Sequence, residues 1–250
     1  MTDGPKTPTA SPAEASSGRL GSPSAVPRRR ATLHDAAPGA ELDALRQDGL
    51  ALGLALPDRA LDQLARYLTL LRKWNAAYNL TAVRDAARMR LQHIADCLAV
   101  VEPLRRHAAG RPLRILDVGS GGGLPGVVLA AVEPLWDVSC VDAVGKKAAF
   151  IRQVAGELAL PNLHALHARV EVLPGPPFDL ITSRAFASLA DFVRLTRSLL
   201  APGGAWMGMK GHRPTDEITA LPADIEVFHV EPLAVPGLAA ERCLIWMRCR

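Results

Sequence analysis

An open α/β sheet preceded by a small helical cap is the fold that the sequence predicts, on three observations. "LRILDV" (Leu113–Val118) is a short, nearly continuous apolar run, as expected of a central parallel strand buried on both faces. After Gly110, strand-like and helix-like segments alternate, which is the pattern of a sheet covered by helices. Before it, from Glu41 to about His107, apolar residues recur at helical spacing. The 250 residues, 49% of them hydrophobic, suffice for one large core or a core with a helical appendage.

Residues 1–39 are rich in Ala, Pro, Ser and Gly and contain no Phe, Tyr, Trp or Ile. Such a segment cannot bury enough apolar area to offset the entropy of ordering it, so it is expected to be a disordered tail. Arg28, Arg29 and Arg30 read as its solvated charges rather than as a dedicated RNA-binding arm. Residues 40–109 make the cap. Leu61, Leu64, Leu68 and Leu71 form one stripe, for which Pro57-Asp58 is a start signal, and Ile94, Cys97, Leu98 and Val101 form a second. Between them "KWNAAYNLTAVRD" breaks or turns at Asn75, Asn79 and Thr81.

Residues 110–250 make the sheet domain. "WDVSCVD" reads as a strand ending at Asp142, and "KKAAFIRQVAGELAL" as a helix with Phe150, Ile151, Val154 and Leu158 inward. "FDLITSRA" is a strand, "LADFVRLTRSLL" a helix stopped by "APGG", and "AWMGMK" a strand. "IEVFHVEPL" and "RCLIWMRC", joined by a Pro-Gly loop, read as an antiparallel hairpin at the sheet edge of an otherwise mostly parallel sheet.

The chemistry sits between the first strand and the first helix. "ILDVGSGGGLPG" gives up side chains at Gly119, Gly121, Gly122 and Gly123. Ligands of open α/β sheets lie outside the carboxyl ends of the strands, and backbone without Cβ atoms lets them approach closely. A nucleotide or nucleoside ligand is therefore expected. A G-x-G-x-x-G match at Gly121, Gly123 and Gly126 would suggest a dinucleotide, but counted from the first glycine, Gly119, the pattern fails at Leu124. Asp117, Gly119, Gly121 and Gly123 instead spell D-x-G-x-G-x-G, the arrangement of S-adenosylmethionine (SAM) methyltransferases, whose cationic ligand suits a nearby carboxylate. Asp142 is placed to accept hydrogen bonds from ribose hydroxyls, and "HARVEVL" (His167–Leu173) to lie beside an adenine, with Val170 against the ring.

Less in the sequence bears on the methylated atom. "GPPF" (Gly175–Phe178) lacks the Asn or Asp of amine methyltransferases and reads as a loop entering a strand. Cys97 and Cys140 read as core residues rather than nucleophiles. "SRAFASL" supplies Ser183, Arg184 and Phe186, of which an arginine can bind phosphate or a base edge and an aromatic can stack. No general base is evident, which suits a target such as guanine N7 that needs positioning and no deprotonation. A SAM enzyme acting on a protein or small molecule, and a non-catalytic nucleotide-binding RNA module, remain as alternatives.

Net charge is +4, compatible with a polyanionic partner and weak as an argument for one. The four cysteines have no CxxC or zinc-ligand spacing, so neither disulfides nor a metal is expected. No apolar run has the length of a membrane span, and no signal-peptide core is present, so a cytoplasmic location is the default expectation.

Taken together, "KWNAAYNLTAVRD", "HIADC", "ILDVGSGGGLPG", "VDAVGKKAAFIRQV", "ARVEVL", "SRAFASL" and "MKG", in this order from about Leu42 to the C-terminus, resemble the bacterial small-subunit rRNA methyltransferase G family. The resemblance implies a Rossmann-like SAM methyltransferase sheet. It implies SAM-dependent methylation of N7 of guanine-527 in the decoding region of 16S rRNA, free or in the small ribosomal subunit; a monomer is expected. It implies that Gly119 and Leu124 contact SAM, that Asp142 holds its ribose, and that Val170 and Glu171 flank the adenine. Arg184 falls at the SAM and substrate side, and Lys146, His93 and Asp96 become candidates for lining the site, with a hydrogen-bonded cap histidine as the plain alternative for His93. Lys146, Lys147, Arg184 and Lys210 are expected around the pocket mouth, on backbone phosphates. Cys97 stands where the family commonly has serine, and a small thiol as packing substitute is the simpler reading.

Overall fold

The computed structural model describes Met1, residues 38–184, Phe186 and residues 188–250. The expected tail lies outside the described residues except for Met1, Pro38 and Gly39, and the last two already belong to helix α1 (Pro38–Ala51). Helix α2 (Asp58–Tyr78) begins directly after Pro57, at the start signal read from the sequence, and its leucine stripe is buried throughout. Burial of such a side chain is worth about 1.5–3 kcal/mol. Glu41 of α1 receives both terminal nitrogens of Arg72 at 2.8 and 2.9 Å, which ties the two helices together.

The break after α2 has a local cause. Asn79 adopts a left-handed conformation (φ 50°), and the buried Asn75 side chain accepts from the Thr81 amide at 2.8 Å and donates to the Val83 carbonyl at 3.1 Å. The second stripe is equally buried but is not one helix. After α3 (Ala86–Met89) it runs through a π-helical turn (Arg90–Ala95), α4 (Asp96–Leu98) and the start of α5 (Val101–Ala108).

The sheet follows as β1 (Arg114–Val118), α6 (Gly126–Val132), β2 (Asp137–Asp142), α7 (Gly145–Glu157), β3 (Leu163–His167), β4 (Phe178–Ser183), α8 (Leu189–Thr196), β5 (Leu200–Lys210), α9 (Thr215–Thr219), β6 (Ile225–Leu233) and β7 (Arg242–Cys249). The strand order is β3-β2-β1-β4-β5-β7-β6, with β1 to β5 parallel and β7 antiparallel to both neighbours. The chain reverses direction across the sheet between β1 and β4, so a crevice opens at their carboxyl ends.

Three details depart from the sequence reading. β3 is not located by it. "APGG" does not stop a helix: α8 ends at Thr196, a short 3₁₀ turn (Arg197–Leu199) follows, and Gly203 and Gly204 lie inside β5. The final strand β7 inserts between β5 and β6, which leaves β6 at the edge. The described residues from Pro38 to Arg250 belong to one compact unit. Leu64 and Leu68 of the cap share a hydrophobic cluster with Val127 and Phe150 on one face of the sheet, and Phe192 and Trp206 fill the other face.

Candidate active site

The glycine loop that joins β1 to α6 is held from below by β2. The amides of Gly119 and Ser120 both donate to the Val141 carbonyl, at 2.9 and 3.3 Å. The Asp142 carboxylate, at the end of β2 and only 6% exposed, accepts from the Gly121 amide (3.0 Å) and the Val144 amide (2.9 Å), with Lys147 Nζ at 3.4 Å. Asp142 thus closes the loop onto the neighbouring strand, at the position where the sequence expects a ribose.

The glycines divide by purpose. Gly119 is exposed, has φ +65°, and a Cβ there would meet only Phe186 at 3.6 Å, so its bare backbone faces the crevice. Gly122 makes room for the cap: a Cβ would sit 3.3 Å from Leu71 Cδ1 and 3.6 Å from the Tyr67 hydroxyl. Gly123 and Gly126 make room for helix packing, since Cβ atoms there would lie 2.6 Å from Val127 and 2.3 Å from Cys140. The sequence reading assigns the loop glycines to the ligand; at Gly122 and Gly123 a side chain would in addition collide with the packing around the loop.

Asp117 lies under this loop, fully buried. Its Oδ2 accepts from the Gly126 amide at 2.9 Å, and its Oδ1 has no hydrogen-bond partner. Burial pushes its carboxyl up to about 7, against the lowering effect of the Gly126 bond and of Arg184. Leu124, expected at the ligand, is buried in the main core and spends its amide on the Ser120 carbonyl at 3.1 Å. Val170 is buried in a 3₁₀ turn (Val170–Val172), while Glu171 beside it is exposed. The thiols of Cys97 and Cys140 are buried, and burial raises both well above the usual thiol range, so neither is a ready nucleophile.

Arg184 follows the end of β4 and reaches into the cap. It donates to the Gln92 carbonyl at 3.0 Å in the π-helical turn, approaches His93 Nδ1 at 3.4 Å, and lies 3.5 Å from Asp96 Oδ2. Asp96 is also held by Arg242 Nε of β7, at 2.7 Å. His93 Nε2 is 2.8 Å from Thr81 Oγ1. A guanidinium only donates, so His93 Nδ1 accepts and its Nε2–H donates to Thr81. Burial, then the positive charge of Arg184, hold His93 down at about 4, so it is neutral at pH 7.

The four cations expected at the mouth all follow or end parallel strands, β2 for two of them, β4 and β5 for the others, on the carboxyl side of the sheet. Their partners differ. Lys210 is bound by both oxygens of Glu217 at 2.9 and 2.8 Å, and Glu217 also accepts the Leu189 amide at the start of α8. Lys147 faces Asp142 and Arg184 faces Asp96. Lys146 is exposed in the first turn of α7.

Sequence reasoning misses Tyr67. It sits on the buried face of α2, and its hydroxyl donates to the Gly122 carbonyl at 2.7 Å. A tyrosine in an apolar helical stripe reads as core packing, and nothing in its spacing tells that its oxygen meets the loop. Among the described residues no cluster of three or more His, Cys, Asp or Glu could hold a metal ion, and no helix is long and apolar enough to cross a membrane.

Comparison with known proteins places this geometry. The family model described as rRNA small subunit methyltransferase G matches residues 60–245. The Ribosomal RNA small subunit methyltransferase G of Leptothrix cholodnii is 61% identical over 208 residues, covering 83% of this chain and 95% of that protein. The protein of the same name from Acidovorax sp. is 60% identical over 213 residues, covering 82% and 94%. Among solved structures, a SAM dependent methyltransferase from Aquifex aeolicus shares the fold, with a TM-score of 0.50 and 17% identity over 68% of this chain and 96% of that one.

Proposed function

Because the chain belongs to the rRNA small subunit methyltransferase G family, we propose that it transfers a methyl group from SAM to N7 of a guanine in the decoding region of 16S rRNA, free or in the small ribosomal subunit. The residues at the carboxyl ends of β1 and β2 fit SAM. Gly119 offers bare backbone to the crevice, Asp142 keeps lone pairs beyond those used by the Gly121 and Val144 amides, and Asp117 carries a buried oxygen that accepts no hydrogen bond. When bound, SAM supplies a methyl group activated by its sulfonium charge. Asp142 would hold the ribose, Gly119 and Gly121 the amino-acid portion, and Val170 with the exposed Glu171 the adenine side. Asp117, beneath the loop and protonated in the fold below about pH 7, would add negative potential toward the cationic donor once ionised.

The observation that carries the choice of target is the state of the site's bases. His93 has both ring nitrogens engaged, Asp96 serves two arginines, and Asp142 holds two amides. None of these stands free to take a proton, and Asp117, whose Oδ1 has no partner, is fully buried beneath the loop. Guanine N7 already presents a lone pair, so its methylation requires only that the base be held in line with the methyl carbon. Arg184, fixed by Gln92, His93 and Asp96, would hold the guanine or its phosphate, with Phe186 beside it for stacking. N7 lies on the major-groove edge, which A-form RNA buries, so the target base must be looped out or displaced from its stack.

Mass mapping of modified nucleotides in 16S rRNA from strains with and without this protein tests the reading. The expected result is one guanine that gains a single N7 methyl only when the protein is present. Incubation with labelled SAM and either naked rRNA or small subunits from the deficient strain then distinguishes the two substrate forms. Label on protein, or on a base other than guanine, overturns the proposal.

A further inference from the structure

Resting on the reading of the glycine loop as the SAM seat, we infer that Tyr67 of the cap is a positioning residue for that seat, so that the cap and the donor site are thermodynamically coupled. The loop is pinned at two successive residues from opposite sides. Asp142 Oδ2 takes the Gly121 amide from β2 (3.0 Å), and the Tyr67 hydroxyl reaches the Gly122 carbonyl from α2 (2.7 Å). Tyr67 is fully buried, and Phe150 packs near its ring at a centroid distance of 6.2 Å, so the hydroxyl has little freedom to leave. Leu71, one turn further along α2, would touch any Cβ at Gly122. Hydroxyl and leucine together fix the peptide plane between Gly122 and Gly123, and hence the direction of the amides that follow Gly119. With the Gly122 carbonyl turned to Tyr67 and the amides of Gly119, Ser120, Gly121, Gly123 and Leu124 spent on Val141, Asp142 and Ser120, the loop is held in a single shape from both sides and offers the bare Cα of Gly119 to a ligand.

The coupling is reciprocal: if Tyr67 helps order the loop for the ligand, the ligand must tighten the cap through the same bond. Tyr67→Phe removes only the hydroxyl and keeps the buried ring. In the full-length protein it should weaken SAM binding, measured by calorimetry, by about three- to tenfold, the value of one net hydrogen bond. At saturating SAM, kcat and the KM for rRNA should stay within twofold. Hydrogen exchange supplies a ligand-free readout: the Gly122 and Gly123 amides should exchange faster in the variant, and SAM should slow exchange in α2 of the wild type more than in the variant. Leu61→Ala, which loosens the cap away from the loop, is the control for general destabilisation. The inference is overturned if Tyr67→Phe binds SAM as the wild type does, if loop exchange is unchanged, or if Leu61→Ala weakens SAM binding as much. Failure of the wild type to bind SAM sinks the functional reading instead, and the loop exchange still decides the role of Tyr67.

Discussion

Arg184 Nη1 lies 3.4 Å from His93 Nδ1, and this contact fixes which nitrogen of the imidazole carries the proton. The ring bridges Thr81 and Arg184 as a neutral group, and a second proton would set two cations against each other. In the unfolded chain His93 takes up a proton near pH 6.5, while in the fold it does so only near 4. Its contribution to stability is therefore complete above pH 6.5 and falls as pH drops to about 4, by up to about 3 kcal/mol. Urea denaturation across this range should show that His93→Gln loses less stability on acidification than the wild type. Equal losses would place the histidine outside this network.

Asp117 has the opposite sign. Its carboxyl is raised from 3.8 to about 7, so between these values the unfolded chain is ionised and the fold holds the proton. Its contribution is complete below pH 3.8 and is lost as pH rises to about 7. Asp117→Asn should therefore gain stability relative to the wild type as pH rises through that window. The two buried groups offset one another between pH 4 and 6.5, so only the single variants expose each slope.

The division of glycines predicts distinct damage. Gly123→Ala, with φ +86° and a Cβ 2.6 Å from Val127, should cost about 2 kcal/mol or more in thermal unfolding. Gly119→Ala has room for its methyl and should cost stability only through its positive φ, about 1 kcal/mol, while weakening SAM binding by more than tenfold because the methyl stands in the crevice. A Gly119→Ala protein with unaltered SAM affinity would move the seat elsewhere.

Lys146 and Lys210 should separate under salt. Lys146→Ala should weaken rRNA binding and reduce the slope of log K against log salt by about one. Lys210→Ala leaves Glu217 with only the Leu189 amide and should act mainly on stability, with a smaller change of salt slope. Filter binding at several ionic strengths measures both.

How far such features could be read beforehand varies with their range. The bounds of β6 and β7 coincide with the segments read from the sequence because alternation and the flanking Pro-Gly loop are local signals. β3 was invisible because "LHALH" is short and half polar, as an edge strand's residues can be when one side meets solvent. "APGG" misled because glycine normally ends helices; here the backbone of Gly204 approaches the carbonyls of Ala201 and Asp179 so closely that a Cβ would lie 3.0 Å from each, and the segment forms an irregularity between the β4 pairings of Leu200 and Ala205. Nothing in "RLQHIA" announces a π-helical turn, yet that turn offers the Gln92 carbonyl to Arg184.

By itself the sequence determined the α/β class, the leucine-striped cap, the glycine loop and the acid at the end of the second strand, because each depends on residues within a few positions of one another. Only the tertiary structure decided what those groups face. Arg242 reaches Asp96 across 146 positions, Arg184 reaches Gln92 across 92, and Tyr67 reaches Gly122 across 55. Periodicity and turn chemistry are short-range and written in the local chain, whereas the partner of a buried charge or hydroxyl is chosen by which surfaces the whole core brings together.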